Sequence, residues 1–181
     1  MKTIDLENGI ELKLANESDA GELFRVVNGC RKYLAEWLPW VEGSKFEKNI
    51  LDFILSRKRV YREGKGLTCT IRAHGKIVGI IEFNVIYKTM LSAEIGYWIQ
   101  EKSQGKGIVT QSCEALIAYG FEALKLNRIV IRCAEENLKS RAIPESLGFI
   151  YEGTERESVK IKNRYLSIRC YSQLAAEYRD K

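Results

Sequence analysis

The spacing of apolar and polar positions changes period several times along the chain. Ile10 to Leu14 alternates and predicts a first strand. Ser18-Asp19 then opens a helix, with Ala20, Leu23, Phe24, Val27, Cys30 and Leu34 recurring as an apolar stripe. An aromatic stretch from Tyr33 to Trp40 follows. A second helix is expected over Phe46 to Arg62, with Phe46, Ile50, Phe53, Ile54 and Tyr61 on one side and the Arg57-Lys58-Arg59 run as a solvated face. Leu67 to Arg72, Lys76 to Ile86 and Ser92 to Ile99 read as an antiparallel meander, with His74-Gly75 in its first turn. The period lengthens again over Gly107 to Leu124, a long amphipathic helix. Arg128 to Cys133 predicts a strand, Asn137 to Leu147 a helix and Phe149 to Glu155 a strand. Lys162-Asn163 turns the chain into a last strand from Tyr165 to Leu174. Strands followed by β-α-β units predict a mixed sheet with helices on both faces, in the α/β (α+β) class.

Composition narrows this picture. With 181 residues, 45% of them hydrophobic and 29% charged, the chain is expected to form a single domain over residues 1–181, and disorder and coiled coil are excluded. Lys and Arg total 29 against 24 acids, a net charge of +5. That suits an anionic ligand but falls short of a nucleic-acid binder, and the runs Arg57 to Arg59 and Lys160 to Arg164 carry no aromatic interleaving. Five widely spaced cysteines without a C-x-x-C pair indicate neither a zinc site nor a disulfide framework. They read as core residues in a reducing, cytoplasmic setting. A single histidine, His74, argues against His-based triads and metal sites. The opening residues carry acids and lack the pattern of a signal peptide. The most apolar stretch, Ile77 to Tyr87, is interrupted by Glu82 and is too short to span a bilayer, so no membrane partner is expected.

The chemistry concentrates in one place. The strand Ala93-Glu94-Ile95-Gly96-Tyr97-Trp98-Ile99 leads into Gln104-Gly105-Lys106-Gly107-Ile108-Val109-Thr110, where a helix begins. Glycines there permit close approach of a ligand to the backbone, and a helix start offers unpaired N–H groups to phosphate. The spacing is neither that of a Walker loop nor that of G-x-G-x-x-G.

These residues resemble the acetyl-CoA motif Q/R-x-x-G-x-G/A of the GNAT acyltransferases, with Val109 at the last position. Within that superfamily the chain is similar to the RimJ/RimL-type branch of ribosomal-protein N-terminal acetyltransferases. The strand Ala93 to Trp98, the segment Asn137-Leu138-Lys139-Ser140-Arg141 with the later Leu147-Gly148-Phe149, and Leu34 to Trp40 carry the rest of the likeness. It runs from about residue 10 to 174. The resemblance implies a GNAT fold, a mostly antiparallel sheet splayed at the acetyl-CoA site between Ser92 to Ile99 and Arg128 to Cys133. Trp98 and Ile99 would then offer backbone groups to pantetheine. Gln104, Gly105, Lys106, Gly107, Ile108, Val109 and Thr110 would surround the pyrophosphate, and Asn137 would bond the pantetheine chain.

The implied reaction is attack of a neutral primary amine on the thioester, which needs a base, an oxyanion donor and stabilisation of the leaving thiolate. Glu94 is the first candidate base, because alternation places it with Gly96 and Trp98. Glu82, on the neighbouring strand, is the second. The tyrosine that many family members carry seven positions after the motif asparagine is replaced by Pro144, which leaves Ser140 as the candidate at the sulfur. Trp37 and Trp40 are expected to wall the acceptor groove together with Glu82. The acceptor implied by the branch is a ribosomal-protein N-terminus. The alternatives are a small-molecule amine (polyamine or antibiotic) as acceptor and a non-catalytic acyl-CoA sensor, and the branch also contains homo-oligomers.

Overall fold

The computed structural model describes residues 3–179. Eight strands form one sheet in the order β1-β2-β3-β4-β5-β6-β8-β7. They are β1 (Ile4–Asp5), β2 (Ile10–Leu14), β3 (Leu67–Ala73), β4 (Lys76–Tyr87), β5 (Ser92–Ile99), β6 (Arg128–Ala134), β7 (Ile150–Ile161) and β8 (Arg164–Leu174). Every neighbouring pair is antiparallel except β5–β6, which is parallel. The helices are α1 (Ala20–Gly29), α2 (Arg31–Leu34), α3 (Glu47–Arg62), α4 (Ile108–Ala118), α5 (Leu138–Ser146) and α6 (Ala175–Arg179). None is long and apolar enough to cross a membrane among the described residues.

Alternation on β4 divides the molecule into two layers. Ile77 and Ile80 pack with Leu23, Val27, Ile50 and Ile54 of α1 and α3 on one face. Ile81 and Phe83 join Cys113, Leu116 and Ile117 of α4 on the other, together with Ile95, Ile129 and Ile131. A sheet buried on both faces by helices is what the period changes of the sequence require.

Several expectations are corrected. The first helix is preceded by a 3-10 turn, Glu17–Asp19, whose cap is Asn16: its carboxamide accepts from the Ser18 N–H at 2.9 Å while Asp19 accepts from the Asn16 N–H at 2.9 Å. The single stripe to Leu34 is broken at Cys30, whose φ of −130° separates α1 from α2. Of the expected apolar side of α3, only Ile50 and Ile54 are fully buried, whereas Phe46 and Tyr61 are exposed. Arg57 does not belong to a solvated face, since it turns inward onto β3 and β4. The helix after Gly107 continues past α4 as a wide π turn over Tyr119–Ala123. That turn holds Gly120 against Ile129 and Phe83, where an added Cβ would lie 2.9 and 3.0 Å from their side chains. β7 runs six residues past Glu155, and β1 and α6 are additional elements.

Candidate active site

The parallel pair β5–β6 is short. Its register runs from Ser92 opposite Arg128 to Ile95 opposite Ile131 and then stops. Beyond that point β5 stays on β4 as far as Ile99 opposite Gly79, and β6 stays on β8 as far as Ala134 opposite Ile168. The two central strands therefore part after Ile95 and Ile131, and a cavity of about 1230 Å³ opens between them. Gln100 N–H donates to Val78 O at 2.8 Å. Alternation of an antiparallel ladder then assigns the main-chain groups of Trp98 and Gly96 to β4 and directs those of Tyr97 and Ile99 toward the gap. Ile99 thus turns its main chain toward the gap, whereas the main chain of Trp98 is taken up by β4 and its residue lines the cavity wall.

One side of the cavity is built to meet phosphate. Gly105 and Gly107 both have φ of +70°, a left-handed conformation that a side chain would strain. A Cβ on Gly105 would meet nothing within 4 Å, and one on Gly107 only the Gln111 amide at 3.7 Å, so these positions border open space. Gly107 caps α4 with no side-chain hydrogen bond, leaving the first-turn N–H groups of Ile108, Val109 and Thr110 without a capping partner. A bare amide cradle lined by glycine backbone fits a pyrophosphate. Lys106 projects into solvent beside it. Gln104 bridges the cleft rather than facing the cradle, its Oε1 accepting from Lys139 Nζ of α5 at 2.8 Å. Asn137 caps α5 through its side-chain oxygen, which accepts from Ser140 N–H at 3.1 Å.

The opposite side is aromatic. Trp37 and Trp40 line the cavity with Trp98, and the Trp40 and Trp98 ring centroids are 6.0 Å apart at 52°. The β7–β8 hairpin closes this wall from the far end of the chain. Arg164 stacks over Trp37 at 5.5 Å from the ring centroid and donates to Glu36 O at 2.7 Å.

Among the described residues two carboxylates line the cavity, Glu82 and Glu101. Glu82 stands opposite Gly96, the first β5 residue beyond the last parallel pair. Its Oε2 accepts from the Thr68 hydroxyl at 2.6 Å and lies 3.1 Å from Arg57 Nε. Burial raises its carboxyl above the usual range, and the Thr68 hydrogen bond and the Arg57 charge hold that rise back. Glu94 shares the face of Gly96 and Trp98, as alternation requires, but sits one rung deeper and does not line the cavity. It accepts from Asn84 Nδ2 at 3.2 Å and pairs with Arg132 at 3.7 Å.

Ser140 lies at the floor of the gap, across from β5. Tyr97, which sequence reasoning missed, reaches it from the opposite wall: its hydroxyl donates to Ser140 O at 2.9 Å and accepts from Ser140 Oγ at 3.4 Å. Burial pushes the Tyr97 hydroxyl well above an ordinary phenol. Cys133 lines the same floor, with its thiol pushed up to about 11 by burial and held back in part by a hydrogen bond from Ser140. Among the described residues no group of His, Cys, Asp and Glu is arranged to hold a metal ion.

Residues 10–150 match the model of the acetyltransferase (GNAT) domain. YdaF of Bacillus subtilis strain 168, which bears the name of a ribosomal N-acetyltransferase, is 32% identical over 98% of this chain and 98% of its own. The ribosomal-protein-serine acetyltransferase of Escherichia coli K12 is 27% identical over 96% of this chain and 97% of its own. Among solved structures, the microcin C7 self-immunity acetyltransferase MccE, in complex with acetyl-CoA and AMP, superposes with a TM-score of 0.88 at 27% identity, covering 93% of each chain. A cleft between parted strands, closed at one end by an uncapped, glycine-lined helix start and at the other by an aromatic wall, together with these likenesses, makes the chain a member of the GNAT acetyltransferase family, an N-acetyltransferase whose acyl donor is acetyl-CoA.

Proposed function

We propose that the protein acetylates the α-amine of a ribosomal-protein N-terminus, with Glu82 as the base that receives the proton of the attacking amine. The observation that carries this reading is the position of Glu82: it is the cavity carboxylate placed opposite Gly96, where the strands begin to part. A carboxylate raised by burial is a stronger base than a solvated one, and a neutral amine is the form that can attack. Glu94, the first candidate from alternation, does not itself line the cavity and is engaged by two residues that do, Asn84 and Arg132.

The donor's phosphates rest on the amides at the start of α4, and Gln104, Lys106 and Asn137 border the same path. The acyl carbon then lies beside the main chain of Tyr97 and Ile99, whose N–H groups are the donors available to a tetrahedral oxyanion. The sulfur lies toward Ser140, whose hydroxyl stabilises the thiolate by donating to it.

Trp37, Trp40 and Trp98 form an apolar wall that suits a peptide N-terminus with an uncharged first side chain. A polyamine carries several charges and calls for several free carboxylates, whereas on the acceptor side Glu82 is already partnered by Arg57. The test is incubation with acetyl-CoA and ribosomal proteins isolated without acetylation, followed by mass spectrometry of their N-termini. One acetyl increment on a single N-terminal residue is expected. Acetylation of spermidine in preference to every N-terminus would overturn the acceptor assignment.

A further inference from the structure

Pro144 lies within α5 and has no N–H. In a regular helix residue 144 would donate to the carbonyl of residue 140, so the proline leaves Ser140 O without its helical partner. The structure fills that place from the other wall of the cleft: Tyr97 Oη donates to Ser140 O at 2.9 Å. Because its proton is committed to the carbonyl, the phenol oxygen can only accept at its second contact, and Ser140 Oγ donates to it across 3.4 Å. That contact is long, hence weak and readily exchanged for a negatively charged acceptor. Cys133 lines the same cavity as Ser140, so a thiol already borders this floor.

We propose that Tyr97 is the positioning residue of the leaving-group side: by taking the carbonyl that Pro144 leaves open, it ties α5 to β5 across the parted strands and holds the Ser140 hydroxyl where the departing sulfur arrives. The inference rests on the reading of Ser140 as the thiolate's hydrogen-bond donor. Neither hydroxyl gives up its proton in this scheme. A buried phenol is too weak an acid to protonate a thiolate, and an aliphatic hydroxyl weaker still, so Ser140 stabilises the leaving group by donating a hydrogen bond while the Tyr97 proton stays on Ser140 O. The proline on α5 thereby creates the acceptor that recruits a tyrosine from β5.

The experiment compares wild type, Tyr97→Phe, Ser140→Ala and the double variant. One readout is steady-state acetylation of a peptide with an N-terminal serine. The other is the pKa of the thiol of bound coenzyme A, taken from ultraviolet thiolate absorbance against the desulfo-coenzyme A complex. Tyr97→Phe is expected to lower kcat roughly tenfold and to raise the bound thiol pKa by about one unit, with KM for acetyl-CoA within about twofold of wild type, since one unit corresponds to a tenfold change. The double variant is expected to show no loss beyond that of Ser140→Ala, as two members of one unit do. A thiol pKa that moves in Ser140→Ala but not in Tyr97→Phe overturns the role of Tyr97 alone; one that moves in neither overturns the Ser140 reading as well. Pro144→Ala added to Tyr97→Phe separates folding from positioning. It returns an N–H to Ser140 O and restores thermal stability, while the raised thiol pKa persists because the tie to β5 is still missing. Recovery of the wild-type thiol pKa in that variant would also overturn the proposal.

Discussion

Arg57 Nε lies 3.1 Å from Glu82 Oε2, and the same guanidinium donates from Nη2 to Phe83 O at 3.1 Å and Asn84 O at 3.0 Å. One side chain from α3 thus fixes both the cavity carboxylate and the irregularity in the β4–β5 ladder between Phe83 and Val85. The bulge turns Asn84 toward Gly96, where an added Cβ would sit 2.7 Å from the Asn84 carboxamide. The charge keeps Glu82 from rising as far as its burial alone would push it.

The pH dependence of catalysis follows from that pair. A base acts in its deprotonated form, so kcat should rise with pH through a midpoint above the ordinary carboxylate range, because burial raises Glu82. Arg57→Leu removes a lowering influence and should move the midpoint to still higher pH. Glu82→Gln should cost roughly 10²–10⁴-fold in kcat and flatten the acidic limb. Rate profiles on the same N-terminal peptide decide the matter. An acidic limb that survives in Glu82→Gln but vanishes in Glu94→Gln would transfer the role to Glu94.

Gly105 and Gly107 separate the demands of the backbone from those of the ligand. At Gly105 a methyl group meets no protein atom within 4 Å, so Gly105→Ala pays only the left-handed backbone cost of about 1–2 kcal/mol. Thermal unfolding should therefore shift little, while calorimetric affinity for acetyl-CoA should fall markedly. Gly107→Asp adds a carboxylate at the start of α4, where it caps the free amides itself and repels phosphate. It should bind acetyl-CoA at least a hundredfold more weakly, by RT ln 100 of about 2.7 kcal/mol. Undiminished affinity in both variants would remove the phosphate from this loop.

Much of this was legible in the sequence, for identifiable reasons. The β3–β5 meander shows because each strand is bounded by turn residues, and the phosphate loop because two glycines stand at a helix start. β1 was not legible, since two residues carry no period. The break at Cys30 escaped because a stripe at helical spacing continues through it in the sequence. Arg57 sits in a run of three cations that reads as surface, and its partner Glu82 lies 25 positions further along the chain. Alternation places Glu94 on the right face but says nothing of depth, which is set by where the β5–β6 ladder ends. Tyr97 was hidden by the same rule: it points away from Trp98 and reads as core, and only the missing N–H of Pro144 reveals what its hydroxyl is for.

Cys133 reports on occupancy of the thiol side. Its thiol, pushed up to about 11, is almost wholly protonated near neutral pH and should react slowly with iodoacetamide. Raising the pH toward 11 should accelerate alkylation, and coenzyme A should suppress it by filling the space next to Ser140. Peptide mapping by mass spectrometry distinguishes Cys133 from Cys30 and Cys170, which lie outside that space. Alkylation of Cys133 that coenzyme A leaves unchanged would place the sulfur elsewhere.

The clasp between Arg164 and Trp37 joins the last hairpin to the segment after α2, and it can be loosened without touching the donor site. Arg164 is about half exposed, its ion pair with Glu136 spans 3.5 Å, and its stacking on Trp37 is worth about 0.5–1 kcal/mol at such a site. Arg164→Ala should therefore unfold at nearly the wild-type temperature. What it removes is the support that keeps the Trp37 ring against the cavity, so the acceptor wall gains freedom that each bound acceptor must then restrict. KM for the peptide should rise severalfold while KM for acetyl-CoA stays constant, because the phosphate cradle at Gly105 and Gly107 lies on the other side of the parted strands. Parallel titrations of the two substrates test this separation. A loss confined to acetyl-CoA would mean that the aromatic wall faces the donor and that the acceptor enters elsewhere.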